Sequence, residues 1–217
     1  MLALKPNFVF ASEEFVVAID VGHTKKDAGA ISARGVAEYE FNQAMASAII
    51  ERMQGVKDIR AFIVEADNGE ITLAERTEIA SQNNADLFIS IHHDSVQEKY
   101  LKSWEYQNKK NHYSDEFDGY SIFASQKNRY SKESMLFAKM LGAKLRYGGF
   151  TPTLHHAEKI KGESRELLDE SLGVYLFDDL VVLKTASMPA ILLECGVIVN
   201  RKEELLVSGE QFRSKRP

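Results

Sequence analysis

The chain has 217 residues and a formal net charge of −5, and 44% of its residues are hydrophobic and 27% charged. This length and composition are typical of a globular protein with one hydrophobic core. The acidic balance gives no reason to expect a nucleic-acid partner, since such proteins usually carry a basic face. No run approaches the roughly 20 apolar residues of a membrane-spanning helix. The single cysteine, Cys195, cannot form a disulfide within the chain.

The N-terminal segment, residues 1–14, has two equally supported interpretations. Lys5, a short apolar stretch and small residues before Ser12 resemble the end of a secretory signal peptide. The apolar stretch is short and Pro6 interrupts it, so it fits a remnant of a signal peptide, and an ordinary N-terminal tail is the equally supported alternative. We therefore predict a tail or signal remnant over residues 1–14 and a single folded domain over residues 15–217.

Short apolar runs rich in β-branched and aromatic residues predict buried β-strands. The four strongest runs, and a weaker fifth, lie at residues 15–20, 60–66, 87–92, 189–194 and 120–125. Continuous apolar runs of this length suit a sheet that is covered on both faces. These runs therefore predict a central β-sheet as the core layer of the domain.

Amphipathic segments between these runs predict helices at residues 38–55, 72–85 and 131–149. The second begins with Thr72 followed by Glu75 three residues later, the pattern of a capping box. Strands that alternate with helices predict an α/β fold. We expect a mostly parallel twisted sheet of about six strands with helices on both faces.

Two polar segments, residues 95–118 and 154–172, show no clear periodicity. We predict irregular surface loops, with a short helix in the second segment. Long loops in compact domains are often functional, so either segment is also a candidate lid or partner-binding element. The predicted surface histidines are His93, His112, His155 and His156. The alternative is that one of them, with His93 nearest in sequence, forms a hydrogen bond with substrate in the cleft.

Polar side chains follow three of the predicted strands. His23 comes after the first strand, His92 ends the third and Glu194 ends the fourth, so all three should reach one sheet edge. Glu38, at the start of the first helix, could face the same edge. Two histidines and a carboxylate form a recurring catalytic zinc set, to which a further carboxylate can add a general base. Spacing alone leaves surface histidines and a strand-capping glutamate as the alternative, because no compact zinc motif is present.

Four sequence blocks in order resemble one known family, the zinc-dependent N-acetylmuramoyl-L-alanine amidases of bacterial cell walls, also called amidase type 3. The blocks are AIDVGHTKKDAGA, EYEFN, AERTEIASQNNADLFISIHHDS and VLKTASMPAILLECGVIVN. In the second block the family places a glutamate four residues before an asparagine, which selects Glu38 with Asn42 rather than Glu40. Four ordered blocks along nearly the whole chain are a specific signal.

The resemblance implies that His23, Glu38 and His92 bind one zinc ion and that Glu194 is the catalytic carboxylate. It implies hydrolysis of the amide between N-acetylmuramic acid and the L-alanine of the stem peptide. The expected partners are therefore peptidoglycan and muropeptides, and a protein activator is expected for some members. The expected location is the bacterial periplasm or cell wall, after export.

The chain departs from the family pattern at several positions. Residues 24–26 are Thr-Lys-Lys where the family often has glycines, Asp94 replaces an asparagine and Val197 stands where a phenylalanine is common. The final helix is expected to be short or truncated. Two other functions stay open, a zinc peptidase that cuts within the stem peptide and a peptidoglycan-binding module without catalysis.

Two further residues have simpler interpretations. Arg76 is expected to form a structural ion pair with Asp86 or to contact a backbone group at a strand end. Cys195 is expected to be a small buried thiol rather than a nucleophile, because no flanking sequence supports a cysteine hydrolase.

Overall fold

The computed structural model describes residues 14–66 and 70–209. The predicted N-terminal tail or signal remnant thus lies outside the described residues, apart from Glu14. Nine strands are described: β1 (Phe15–Val21), β2 (Ile59–Val64), β3 (Leu87–Asp94), β4 (Lys102–Tyr106), β5 (Lys109–Tyr113), β6 (Ser121–Ala124), β7 (Glu166–Asp169), β8 (Val174–Leu176) and β9 (Ala190–Val197). The described helices are α1 (Glu38–Met53), α2 (Leu73–Gln82), α3 (Ser131–Tyr147), α4 (Val181–Thr185) and α5 (Arg201–Ser208).

Seven of the strands form one sheet in the order β2-β1-β3-β9-β6-β8-β7. The pairs β1–β2, β1–β3, β3–β9 and β6–β8 are parallel, whereas β6–β9 and β7–β8 are antiparallel. The predicted α/β class is confirmed, and the sheet is one strand larger than expected and mixed. The parallel centre places the C-terminal ends of β1, β3 and β9 at one edge.

Helices cover both faces of the sheet because side chains alternate along each central strand. On β1, Val17 and Ile19 join a core that includes side chains of α1 and α3. Val16 and Ala18 point to the opposite core, which includes side chains of α2 and α4. Burying a valine or isoleucine side chain typically contributes about 1.5–3 kcal/mol. Two-sided burial therefore explains why the strand sequences are continuous apolar runs.

The start of α2 forms as the sequence predicts. Thr72 accepts a hydrogen bond from the Glu75 backbone N–H, and the Glu75 carboxylate accepts one from the Thr72 N–H. This reciprocal cap typically contributes about 1 kcal/mol to the helix. It fixes the first turn of α2, from which Arg76 extends toward the end of β1.

The segment 95–118, predicted to be irregular, contains the antiparallel hairpin of β4 and β5. Trp104 anchors the hairpin, because its indole N–H donates to the Ala33 carbonyl at 2.8 Å. The guanidinium groups of Arg34 and Arg201 lie over the Trp104 ring. The prediction failed because cross-strand aromatic packing, not a period-two apolar pattern, holds this hairpin.

The segment 154–172 also differs from the expectation. It contains a single 3-10 turn at His155–Ala157 and the strand β7, which closes one side of the sheet. The final helix α5 is eight residues long and is capped by the Asn200 side chain. Within the two described ranges, no helix combines the length and apolar character needed to cross a bilayer.

Candidate active site

Three predicted ligands meet at the edge of the sheet. Glu38 lies between two imidazoles, with its Oε2 3.0 Å from His23 Nε2 and its Oε1 3.0 Å from His92 Nδ1. The donor atoms all lie within 4.8 Å of one another. We call His23, Glu38 and His92 the edge cluster. The structure thus brings together, from β3, α1 and the loop after β1, side chains that are far apart in sequence.

Two glycines allow the edge cluster to be this compact. A Cβ atom at Gly22 would lie 2.3 Å from His92 Nε2, and one at Gly29 would lie 2.4 Å from Glu38 Oε2. Gly29 also has a φ of +74°, in the left-handed region that glycine favours. Any larger residue at these two positions would displace a side chain of the cluster.

Arg76 fixes the loop that carries His23. His23 has an unusual φ of 68°, and its carbonyl accepts a hydrogen bond of 2.7 Å from the Arg76 guanidinium. The same guanidinium donates to Asp20 at 2.6 Å and to the Val21 carbonyl. The predicted contact with strand-end backbone is present. The predicted partner Asp86 is wrong, because its carboxylate instead accepts the Val16 N–H.

Glu38 is held by groups outside the cluster as well. Its Oε1 accepts a hydrogen bond from the Asn42 amide at 3.1 Å, and its Oε2 accepts one from the Ala30 N–H at 3.1 Å. Asn42 lies one helical turn after Glu38 and is fully buried. Its amide oxygen lies 2.8 Å from His93 Nδ1. The prediction of a surface His93 is therefore wrong, whereas His112 is exposed as predicted.

The charges of the edge cluster are mutually stabilising. Burial raises the pKa of the Glu38 carboxyl, but hydrogen bonds from His23 and His92 outweigh burial and leave this pKa well below its usual range. The hydrogen bond with Glu38 raises the pKa of His23. Glu38 is therefore a carboxylate at neutral pH, as a metal ligand must be.

Glu194 lies beside His92, its partner in the register of β3 and β9. The residue is partly exposed, yet its Oε2 atom is buried and has no hydrogen-bond partner among the residues that the structure describes. Burial raises the pKa of this carboxyl well above its usual value, and the charges of Asp94 and Glu38 raise it further. A carboxyl group in this environment is suited to hold and transfer a proton.

The edge cluster fits a divalent metal ion. Two imidazoles and one carboxylate are a usual donor set for zinc. Tetrahedral bonds of about 2.0 Å place ligand atoms about 3.3 Å apart, close to the 3.0 Å separations found here. Beside it lies a cleft of ≈ 450 Å³ lined by His23, His92 and residues of α2. The site is therefore accessible to a substrate.

A second group of histidines contradicts the prediction that His155 and His156 are surface residues. His155 is 2% exposed and His156 9% exposed, and both face the carboxylate of Asp94. We call Asp94, His155 and His156 the buried cluster. Glu163 lies 2.9 Å from His156 Nδ1. The sequence signals of this cluster were the histidine pair in an unpatterned segment and Asp94 in place of the family's asparagine, and burial could not be deduced from them.

Opposing effects set the ionisation of the buried cluster. Burial alone would lower the pKa of His156, but Asp94 and then Glu163 outweigh it and raise this pKa to about 9. Burial likewise works against the Asp94 carboxylate, yet the two histidines hold its pKa well below the usual range. Asp94 is thus an anion at neutral pH.

An α/β sheet with two imidazoles, a carboxylate and a further glutamate with one buried carboxyl oxygen at one edge defines a candidate metal-dependent enzyme. The chain belongs to the N-acetylmuramoyl-L-alanine amidase family, whose model matches residues 17–216. This confirms the family indicated by the four sequence blocks.

Individual relatives agree with this assignment. The probable N-acetylmuramoyl-L-alanine amidase AmiB of Haemophilus influenzae is 26% identical over 96% of this chain and 51% of its own length. The amidase AmiA of Escherichia coli is 29% identical, over 97% of this chain and 75% of its own length. The chain thus spans about half and three quarters of these relatives. The crystal structure of an N-acetylmuramoyl-L-alanine amidase from Clostridium difficile has the same fold, with a TM-score of 0.70, 21% identity and coverage of 94% and 91% of the two chains.

Proposed function

We propose that this chain is a zinc-dependent hydrolase that cleaves the amide bond between N-acetylmuramic acid and the L-alanine of the stem peptide in peptidoglycan. Membership of the amidase family supports the choice of bond. The convergence of His23, Glu38 and His92 beside Glu194 carries the proposal, because this arrangement supplies both a donor set and a nearby proton carrier.

The edge cluster would hold the zinc ion through His23, Glu38 and His92. A bound zinc ion would polarise the scissile carbonyl and lower the pKa of a water molecule toward about 7. Glu38 is the only anionic donor among the three. The donor set therefore carries one negative charge, which leaves a net positive charge at the site for the developing oxyanion.

Glu194 acts as the proton carrier. It accepts a proton from the attacking water and passes that proton to the amine of the departing L-alanine. The buried position of Oε2 and the raised pKa support this role, because the group must hold a proton between the two transfers. Arg76 positions His23 through the loop carbonyl, without touching the reacting atoms.

We further propose that residues 15–217 form one catalytic domain that acts after export, in the bacterial periplasm or cell wall. The presence of peptidoglycan outside the cytoplasm supports this location. The proposal also includes a protein activator of this domain, which stays a prediction.

Purified muropeptides with intact stems test the proposal directly. Metal-replete protein should release free peptides that begin with L-alanine, as measured by mass spectrometry. Chelation should abolish this release, and added zinc should restore it. Shortened stems that stay attached to the sugar would instead indicate a zinc peptidase. Binding to peptidoglycan without any released peptide would indicate a module without catalysis.

A further inference from the structure

We propose that Asp94, His155 and His156 bind a second divalent transition-metal ion of the zinc type. This ion would be buried and would fasten the segment 154–165 to the end of β3. The buried cluster contains the same donor types as the edge cluster, namely two imidazoles and one carboxylate. Its ligand atoms also lie within 4.8 Å of one another. The proposal does not depend on the amidase activity.

The spacing of the donors suits a small metal ion. Asp94 Oδ2 lies 3.2 Å from His155 Nε2 and 2.8 Å from His156 Nε2. Ligand atoms around a tetrahedral zinc ion are about 3.3 Å apart, so only a slight expansion is required. Imidazole with carboxylate favours zinc-like ions over calcium or magnesium, which prefer oxygen ligands alone.

Neighbouring groups hold each donor in the orientation that a metal needs. The other oxygen of Asp94 accepts the Ser95 N–H at 2.7 Å, which leaves Oδ2 to face the imidazoles. Glu163 is a carboxylate 2.9 Å from His156 Nδ1, so this nitrogen carries a proton and Nε2 is the ligating atom. Thr153 Oγ1 lies 2.8 Å from His155 Nδ1. Such contacts to the distal nitrogen are typical of metal-binding histidines.

One atom of the buried cluster needs a partner. His155 Nε2 is buried and has no hydrogen bond to any of the described residues, although it lies near Asp94 Oδ2. A buried polar atom without a partner destabilises the folded protein. A proton on His156 Nε2 satisfies that ring and Asp94 but leaves His155 unsatisfied. A metal ion at the point where the three atoms converge satisfies all of them.

The surroundings exclude water and balance the charge of such an ion. The rings of Phe117 and Phe123 lie 5.0 Å from those of His155 and His156, respectively. With a metal ion bound the two imidazoles are neutral, and the carboxylates of Asp94 and Glu163 carry two negative charges. A divalent ion neutralises them, which removes much of the cost of burying them. The closed environment indicates a structural rather than a catalytic ion.

The number of zinc ions bound per chain tests this proposal. Untagged protein is saturated with zinc, passed into metal-free buffer and analysed by mass spectrometry for zinc per chain. We expect two equivalents in the wild type and in the control His112→Ala, which changes an exposed histidine. We expect one equivalent in His155→Ala and one in His23→Ala, because each removes a ligand from a different cluster.

A fold-preserving variant and a spectroscopic signal cover the case in which His155→Ala does not fold. His156→Gln keeps a polar side chain of similar size and should also lose one equivalent. Cobalt-loaded wild type should show absorption bands from two sites, of which His156→Gln keeps only those of the edge cluster. A wild type that holds one equivalent, all of it lost in His23→Ala, would overturn the proposal and leave a proton as the occupant of the buried cluster.

Discussion

The edge cluster and the buried cluster have the same chemical composition but differ in access to solvent. The side chains of His23 and His92 are 28% and 19% exposed, and those of His155 and His156 are 1% and 11% exposed. An accessible metal site can bind water and substrate, whereas a closed one can only hold the chain together. Access, rather than ligand type, therefore separates the two functions that we propose.

The carboxylates of the two clusters are also used differently. Glu38 directs one oxygen to each imidazole, so its charge is spread over two contacts. Asp94 directs the same oxygen to both imidazoles, because its other oxygen is bound to the Ser95 N–H. Three donor atoms therefore converge on one point in the buried cluster, which is the geometry that the proposed ion requires.

The largest expected effect belongs to Glu194, the proton carrier that we propose beside the edge cluster. Glu194→Gln should lower kcat on muropeptides by about 10³-fold, because the amide cannot carry the proton. Zinc content should stay at the wild-type value. Glu40→Gln, at an exposed glutamate in the first turn of α1, should retain full activity. Activity of Glu194→Gln within about threefold of wild type would contradict the role proposed for Glu194.

The next effect tests the structural role of the buried cluster. At free zinc of about 1,000 times Kd, one bound ion stabilises the fold by about 4 kcal/mol. For a domain of this size the corresponding rise in Tm is roughly 10 °C. Calorimetry with zinc and with chelator should show that His155→Ala loses the part of this rise due to the buried cluster. An unchanged zinc-dependent rise would mean that only the edge cluster stabilises the fold.

The pH dependence of the metal-free protein should be a smaller effect. The pKa of His156 is raised from 6.5 to about 9 in the folded protein. Its contribution to the free energy of unfolding, about 3 kcal/mol at most, is therefore complete below pH 6.5 and is lost as the pH rises through 9. Urea unfolding of chelated protein should show this decline. His156→Gln should remove most of this decline in the free energy of unfolding. The pH dependence that remains should then come from the raised pKa of His23.

A decline of the same size in His156→Gln would assign the pH dependence to other groups. Zinc-loaded wild type offers a second control. If the ion replaces the proton on His156, the stability of the loaded protein should vary less over the same pH range.

The edge cluster and Glu194 could be predicted from sequence, with Glu38 selected by the family resemblance, but the buried cluster could not. His23, His92 and Glu194 follow apolar strand runs, and parallel strands deliver their C-terminal ends to one edge. His155 and His156 follow no strand, and their burial depends on Asp94 and on aromatic rings from distant segments. The fold was predictable for a similar reason. Local apolar patterns predicted the central strands. The β4–β5 hairpin instead depends on long-range packing around Trp104, which a local pattern does not show.

The last prediction concerns Gly22, which lies between the end of β1 and His23. Because a Cβ at this position would lie 2.3 Å from His92 Nε2, Gly22→Ala should push the imidazole away from Glu38. We expect zinc affinity at the edge cluster to fall about 10–100-fold, the usual effect of losing ligand orientation. The buried cluster should keep its ion, because the three nearest atoms to the added Cβ all belong to the His92 ring. Competition with a coloured chelator measures both affinities.

A matched control is Gly209→Ala, at the C-terminal end of α5. The nearest atom to a Cβ added there is the Leu206 carbonyl oxygen, at 3.3 Å. It should leave both affinities unchanged. Equal weakening of both sites in Gly22→Ala would show that the two clusters respond as one unit through β3, which carries His92 and Asp94 two residues apart. Loss at the edge cluster alone would show that each carboxylate organises its own site.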